Sequence, residues 1–259
     1  MPAGPGLSLR PRLRDPSTRL TATFVLVPRV EIVETLAAAG FDAVVFDLEH
    51  GPYDVPELSP LVAAAHGAGA AALVRVSELS ETAIGRALDA GADGVIVPHV
   101  GGPEEAAAAV AAARFPPDGT RSVNPYVRGA GHGWSASYLA DAAAGVAVMV
   151  MVEGAAGVAA AAEIVAVPGV DGVFVGPVDL AGAIGRPGQP EHADVVAAVG
   201  ELLRQAGAAG VAPAVYAPTP AAARRWLGLG ARFVALSADI AMAGDAFGRY
   251  LKEVTVMEP

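Results

Sequence analysis

The sequence predicts an α/β fold, a (β/α)8 TIM barrel in a single domain over residues 1–259, with residues 1–20 as an N-terminal extension or lead-in. Three observations predict it. Short apolar runs rich in Val recur eight times, Ala-rich helical segments separate them, and several of those segments open on Pro and close on Gly. A strand followed by a helix, eight times over in about 250 residues, is the repeat of this barrel.

Taken in order, the strands are expected at Thr23–Val27, Ala43–Asp47, Ala72–Arg75, Gly94–Val97, Val148–Val152, Gly172–Gly176, Val211–Val215 and Phe233–Leu236. Each is short and almost uninterruptedly apolar, as strands buried on both faces of a parallel sheet must be. The helical segments are expected near Val30–Ala39, Pro56–Gly67, Ser80–Ala90, Pro103–Ala113, Ala155–Val167, Glu191–Gly207, Pro220–Gly228 and Ile240–Tyr250. The words "AAGFDAVVFD", "DAGADGVIV", "VPGVDGVFVG" and "GLGARFVALS" repeat a Gly-x-Asp or Gly-x-Arg just ahead of a strand. We read them as helix-ending turns of the fold and not as sites. No linker divides the chain; the one long irregular stretch, Phe115 to Gly133, has the length of a functional loop.

Composition narrows the chemistry. Hydrophobic residues make up 53% of the chain and aromatics only 5%, the balance of a core built from Ala, Val and Leu. The longest apolar run, around Ala142–Val152, stops at Glu153, far short of the roughly twenty residues a spanning helix needs. Neither a membrane span nor an export signal is expected, so the cytoplasm is the default location. With no cysteine, disulfides, thiolate nucleophiles and Cys-held zinc are excluded. A formal charge of −10, with no basic cluster beyond the first twenty residues, argues against a nucleic-acid partner. The only lysine is Lys252, near the C-terminus, which leaves a Schiff-base mechanism without a carrier.

In such barrels the chemistry sits where the strands end. Asp47-Leu48-Glu49-His50 stands at the end of the second expected strand, Arg75 ends the third, Pro98-His99 comes after the fourth and Glu153 after the fifth. Gly176-Pro177-Val178-Asp179 comes at the end of the sixth, Tyr216 after the seventh and Ser237 after the eighth. Strands must meet polar residues where they leave the core, so one such residue means little; the convergence of several on one rim means more. Glu153 and Asp179 end adjacent strands, and two carboxylates held together need a shared proton, a cation or arginine partners. With oxygen ligands and no Cys, a cation would be a hard one such as Mg2+ or Mn2+.

The words "FDLEHGPYD", "LVRV", "RFPPDGTRS", "MVEGAAG" and "GVDGVFVGPVDLAGAIGRPGQPEH" occur in order along nearly the whole chain from about Pro28. Together they resemble the HpcH/HpaI family of metal-dependent (class II) pyruvate aldolases, of the 4-hydroxy-2-oxo-acid aldolase type. The resemblance implies a (β/α)8 barrel that reversibly cleaves a 4-hydroxy-2-oxo (2-keto-3-deoxy) acid to pyruvate and an aldehyde, a carbon–carbon lyase reaction. It implies that Glu153 and Asp179 hold a divalent metal ion, Mg2+ or Mn2+, with Co2+ a further candidate. It also implies that Arg75 contacts the keto acid and steadies its enolate oxygen, and that His50, oriented by Asp47, is the acid/base. Backbone around Gly176, Pro177 and Val178 would meet the pyruvate carboxylate, and Glu49 would be a hydrogen-bonding partner of this cluster. The partners implied are a small 2-oxo acid, an aldehyde and further copies of the chain, as a homo-oligomeric trimer or hexamer.

The sequence departs from the family's pattern at Ser122, Gly154 and Ala181, none of them a metal or base position, which touches substrate scope more than reaction type. His99 is read as structural or substrate-shaping, His132 as a solvated loop residue, and His66 and His192 as residues on or at the start of helices. Arg121 and Arg128 are weighed between surface pairing and binding an acidic substrate tail, with pairing favoured. The competing readings are a CoA-ester lyase of the malyl- or citramalyl-CoA type, a phosphate-binding barrel enzyme, and a catalytically inactive barrel acting as a binding module.

Overall fold

A computed structural model describes residues 8–255; residues 1–7 of the expected lead-in lie outside the described residues. The eight strands are β1 (Leu20–Val25), β2 (Ala43–Asp47), β3 (Ala71–Arg75), β4 (Gly94–Val97), β5 (Ala147–Val152), β6 (Gly172–Val175), β7 (Ala212–Ala217) and β8 (Phe233–Ala238). All neighbours pair in parallel, and β1 closes on β8. The chain is therefore the (β/α)8 barrel that the alternation predicts.

The apolar residues fall into two clusters because each strand is buried on both faces. Inside the barrel, small Ala22, Ala71, Ala212 and Ala214 make room for Phe24, Phe174, Phe233, Met149 and Met151. Outside it, Val44, Val74, Val95, Val150 and Val173 meet the helices through Leu61, Ile84, Ala109, Ile164 and Leu202. Leu9 and Leu13, on the helix Leu9–Arg14, belong to the inner cluster and close its base. Part of the expected lead-in is thus packed against the barrel interior, and truncating either leucine should cost about 2–5 kcal/mol.

The repeated Gly-x-Asp words form the base. Gly40, Gly91, Gly169 and Gly230 have φ between 95° and 100°, where a Cβ is disfavoured. Each turn then aims its third residue at the preceding strand. Asp42, Asp93 and Asp171 donate their own N–H to the carbonyls of Thr21, Ala72 and Val148, and their carboxylates accept the N–H of those same three residues at 2.7–3.0 Å. Asp171, which is buried, also accepts from Arg10 Nε at 3.0 Å, Arg14 Nε at 2.8 Å and Arg114 Nη2 at 3.3 Å. Burial, with the charge of Arg10 beside it, pulls Arg114 down to about 10.

The structure corrects the expectation at several boundaries. β1 begins at Leu20 and ends at Val25 instead of spanning Thr23–Val27, because the N–H groups of Leu26 and Val27 are taken by the Asp239 side chain at 3.0 and 2.9 Å. A helix, Tyr138–Gly145, precedes β5, and the expected helix Ala155–Val167 is broken at Ala160 into Ala155–Ala159 and Ala161–Val165. The last helix, Asp239–Thr255, leaves Phe247, Tyr250, Leu251 and Val254 exposed. No helix among the described residues is long and apolar enough to cross a membrane.

Candidate active site

Register builds the first half of the site. Asp47 and Arg75 are direct partners across β2 and β3, so their side chains leave the ladder on one face at the same height. Arg75 Nε donates to Asp47 Oδ1 at 2.9 Å and Nη2 to Oδ2 at 2.6 Å, a two-bond fork with both residues buried. The guanidinium lies over the Phe24 ring, 4.8 Å from its centre. Burial pulls the Arg75 pKa down, but the bonds to Asp47 and the charges of Asp47, Glu49 and Glu153 more than offset it, so the net shift is upward. The third nitrogen, Nη1, lies 2.9 Å from Glu49 Oε2. That carboxylate oxygen is buried and receives no hydrogen bond, so the contact is a charge pair off the N–H direction, and it leaves Nη1 donors for another oxygen.

The loop after β2 is tied down from below. The Tyr53 hydroxyl donates to the Val25 carbonyl at 2.6 Å and accepts the Asp47 N–H at 2.8 Å. Burial pushes the Tyr53 hydroxyl up, far from ionisation. Asp47 Oδ1 in turn accepts the N–H groups of Glu49 and His50, at 3.1 and 3.3 Å.

The second half gathers around Glu153, which comes directly after β5 and is buried. Its Oε1 accepts the backbone N–H of His99 at 3.1 Å, and the His99 ring Nδ1 is 2.9 Å from the same oxygen. The other ring nitrogen, Nε2, is 2.8 Å from Glu49 Oε1. Burial pushes the Glu153 pKa up; His99 pulls it back, and the negative charges of Asp179 and Glu49 push it further up. Asp179 sits in the first turn of the helix Pro177–Ala183 and is exposed. Gly176 stands between them in the chain, and a Cβ there would lie 2.6 Å from Glu153 Oε2, so glycine leaves the carboxylate its present place.

A cavity of about 330 Å³ opens beside this constellation. Asp47, His50, Arg75 and the Gly176–Asp179 turn line its polar side; Phe24, Met151, Phe174 and Tyr216 line its apolar side. Two oxygen-donor carboxylates near an Arg-bearing cavity fit a hard divalent cation, since a positive charge offsets both the burial and the neighbouring negative charge that raise Glu153. Among the described residues no three His, Cys, Asp or Glu side chains converge into a cage. Such a site leaves coordination positions to water or substrate.

Against known proteins, the chain matches the HpcH/HpaI aldolase/citrate lyase family over residues 20–246. It belongs to that family. A relative from Klebsiella pneumoniae, named 5-keto-4-deoxy-D-glucarate aldolase, is 41% identical over 213 residues, 82% of this chain and 83% of the relative. An HpcH/HpaI aldolase/citrate lyase family protein from Burkholderia cenocepacia superposes with a TM-score of 0.92 at 39% identity, covering 95% of this chain and 98% of that one. The HpcH/HpaI aldolase from Desulfitobacterium hafniense gives 0.89 at 29%, covering 96% and 97%. Family and relatives together make this chain a carbon–carbon lyase.

The strand-end residues singled out in the sequence come to one rim, with changes of partner. The expected His50–Asp47 pair does not form: both Asp47 oxygens serve Arg75, and Asp47 reaches only the backbone of His50. His50 is exposed at the cavity, and its ring has no hydrogen-bond partner among the described residues. His99 enters the charged network directly. The long stretch Phe115–Gly133 lies at the base instead of the rim: buried Arg121 pairs with Asp89 and the Tyr138 hydroxyl, and Arg128 packs on Gly91. A segment from a helix into a strand must run to the strand's N-terminal end, so its arginines cannot meet substrate in the cavity of their own barrel. His66 pairs with Asp93 at 2.9 Å, and His192 caps its helix by accepting the Asp194 N–H. Sequence reasoning missed Tyr53 and Phe24; both look like ordinary strand or turn aromatics until the register is known.

Proposed function

We propose that this protein is a metal-dependent aldolase that reversibly cleaves a 4-hydroxy-2-oxo acid to pyruvate and an aldehyde. The observation that carries this reading is a lysine-free cavity lined by Arg75 and Asp179, with the buried Glu153 carboxyl close enough to feel the charge of Asp179 and to act on Arg75. Glu153 and Asp179 would hold the cation, Mg2+ or Mn2+ with Co2+ a further candidate. It would supply Lewis-acid charge to the keto acid's oxygens and take the place of an imine as electron sink.

The chain's own groups account for the rest. Arg75, locked by Asp47, presents Nη1 to the oxygen on which enolate charge develops, already oriented and partly desolvated. Backbone around Gly176, Pro177 and Val178 meets the substrate carboxylate. His50, free at the cavity wall, accepts the 4-hydroxyl proton as the C3–C4 bond breaks and its electrons pass to the pyruvate half. A proton returned to C3 completes pyruvate, and the reverse sequence joins pyruvate to an aldehyde. The name shared by the aldolase relatives suggests a substrate of the 5-keto-4-deoxy-D-glucarate kind. We further propose a cytoplasmic homo-oligomer, a trimer or hexamer, supported by the exposed apolar side chains of the last helix.

The test is pyruvate in D2O followed by NMR. With Mg2+ or Mn2+ the methyl signal should be lost to deuterium exchange, and EDTA should stop the loss. Metal bound without exchange would favour the CoA-ester lyase; neither binding nor exchange would favour the inactive barrel.

A further inference from the structure

We propose that His99 is a positioning residue that fixes Glu153 for cation binding and couples it to the Arg75 end of the site. This role rests on the metal-dependent reading of the site and falls to a residue that the reaction itself leaves unused.

The geometry around His99 is unusual in three respects. Its φ is 57°, in the left-handed region that residues with a side chain seldom adopt. Backbone strain of this kind persists only where the surroundings impose it, and it clusters at functional sites. Here the turn directs both the N–H and the ring Nδ1 of one residue at a single oxygen, Glu153 Oε1. The same ring carries Nε2 to Glu49 Oε1.

Packing does not explain the arrangement. The His99 side chain is 66% exposed, whereas those of Glu153 and Glu49 are 2% and 9% exposed. An open ring reaching inward to two buried carboxylates acts through those contacts and not through burial of its own surface. It also occupies the one gap in a chain of charge that otherwise breaks in two. Among the described residues, Asp47 meets Arg75, Arg75 meets Glu49, and only His99 joins Glu49 to Glu153. The ends of β2, β3, β4 and β5 are linked in this way, so the group that meets the enolate oxygen and the group that holds the cation share one frame. Partners that orient a metal-holding side chain typically contribute about 10- to 100-fold in metal affinity.

The test compares wild type with His99→Phe, His99→Asn and His99→Gln. Phe keeps a ring without its nitrogens, Asn tolerates the left-handed backbone and puts an N–H where Nδ1 stands, toward Glu153, and Gln puts one where Nε2 stands, toward Glu49. Mn2+ affinity is measured directly by electron paramagnetic resonance, alongside the pyruvate-exchange rate at saturating Mn2+ and the melting temperature. We expect the Mn2+ dissociation constant to rise by about 10- to 100-fold in His99→Phe and His99→Gln, and His99→Asn to recover much of the loss. Exchange at saturating Mn2+ should fall less than the affinity does.

Mn2+ affinity within about twofold of wild type in both the Phe and Gln variants would overturn the proposal. So would a lowered melting temperature with unchanged affinity, which marks a purely structural turn. Wild type that binds no Mn2+ would overturn the metal-dependent reading itself, and this inference with it.

Discussion

Asp171 at the base of the barrel and Glu153 at its rim are both buried carboxylates beside a strand end, yet their surroundings are opposite in sign. Asp171 receives three arginines and a backbone N–H. Glu153 receives one N–H and one exposed histidine ring, and it faces two further carboxylates. At the base, charge is neutralised within the protein and serves to close the barrel over the helix Leu9–Arg14. At the rim, negative charge is left in excess beside a cavity, which costs stability and is the condition a cation site requires. The difference separates the structural acid from the one we propose to hold the cation better than burial does, since both are almost fully enclosed.

The comparison breaks first if Glu153 is dispensable. Glu153→Gln should lower metal-dependent pyruvate exchange by about a thousandfold or more, the value of several kcal/mol of lost charge stabilisation, with little change in melting temperature. Asp171→Ala should do the reverse. Leaving three arginines unpaired should destabilise the fold by about 3–5 kcal/mol, roughly 10 °C in melting temperature for a domain of this size, with exchange at low temperature retained. A calorimetric scan beside an exchange assay reads both, and Asp171→Ala with normal melting but no exchange would invert the assignment.

Arg75→Lys sharpens the picture of the rim. Lysine keeps the charge but not the fork that fits Asp47 while sparing a donor, so we expect about a 100-fold loss in exchange rate, the scale of one missing donor at a developing oxyanion. The smallest effect concerns pH. Glu153 has a raised pKa in the folded state, first through burial. The unfolded chain therefore gives up this proton at lower pH than the native one, and Glu153 makes the metal-free fold progressively less stable as pH rises from about 4.5 through its native pKa. In EDTA, the melting temperature of Glu153→Gln relative to wild type should climb across that window, and saturating Mg2+ should abolish the climb.

Much of this molecule is legible in its residues. Ala43–Asp47 and Gly94–Val97 have the bounds read from the apolar runs, because a strand enclosed on both faces has no polar position until it leaves the core. The Gly-x-Asp turns are recognisable as fold elements, and the structure shows why: each Asp clamps the neighbouring strand. The first strand is misplaced from sequence because Asp239, more than two hundred residues away, takes the N–H groups of Leu26 and Val27. The placement of Phe115–Gly133 is recoverable from chain direction alone, since a helix-to-strand segment ends at the base.

The sequence by itself determined the repeat, the strand-end positions of Asp47, Glu49, His50, Arg75, Glu153 and Asp179, and the absence of any lysine from the strand ends. These are local properties, carried by apolar periodicity and residue type. Only the tertiary structure decided who partners whom. Asp47 belongs to Arg75 and not to its sequence neighbour His50 because β2 and β3 align them in register, and His99 reaches Glu153 because β4 and β5 lie side by side. Partnership between ionised groups depends on distances of about 3 Å between atoms on different strands, a quantity that exists only once the barrel has closed.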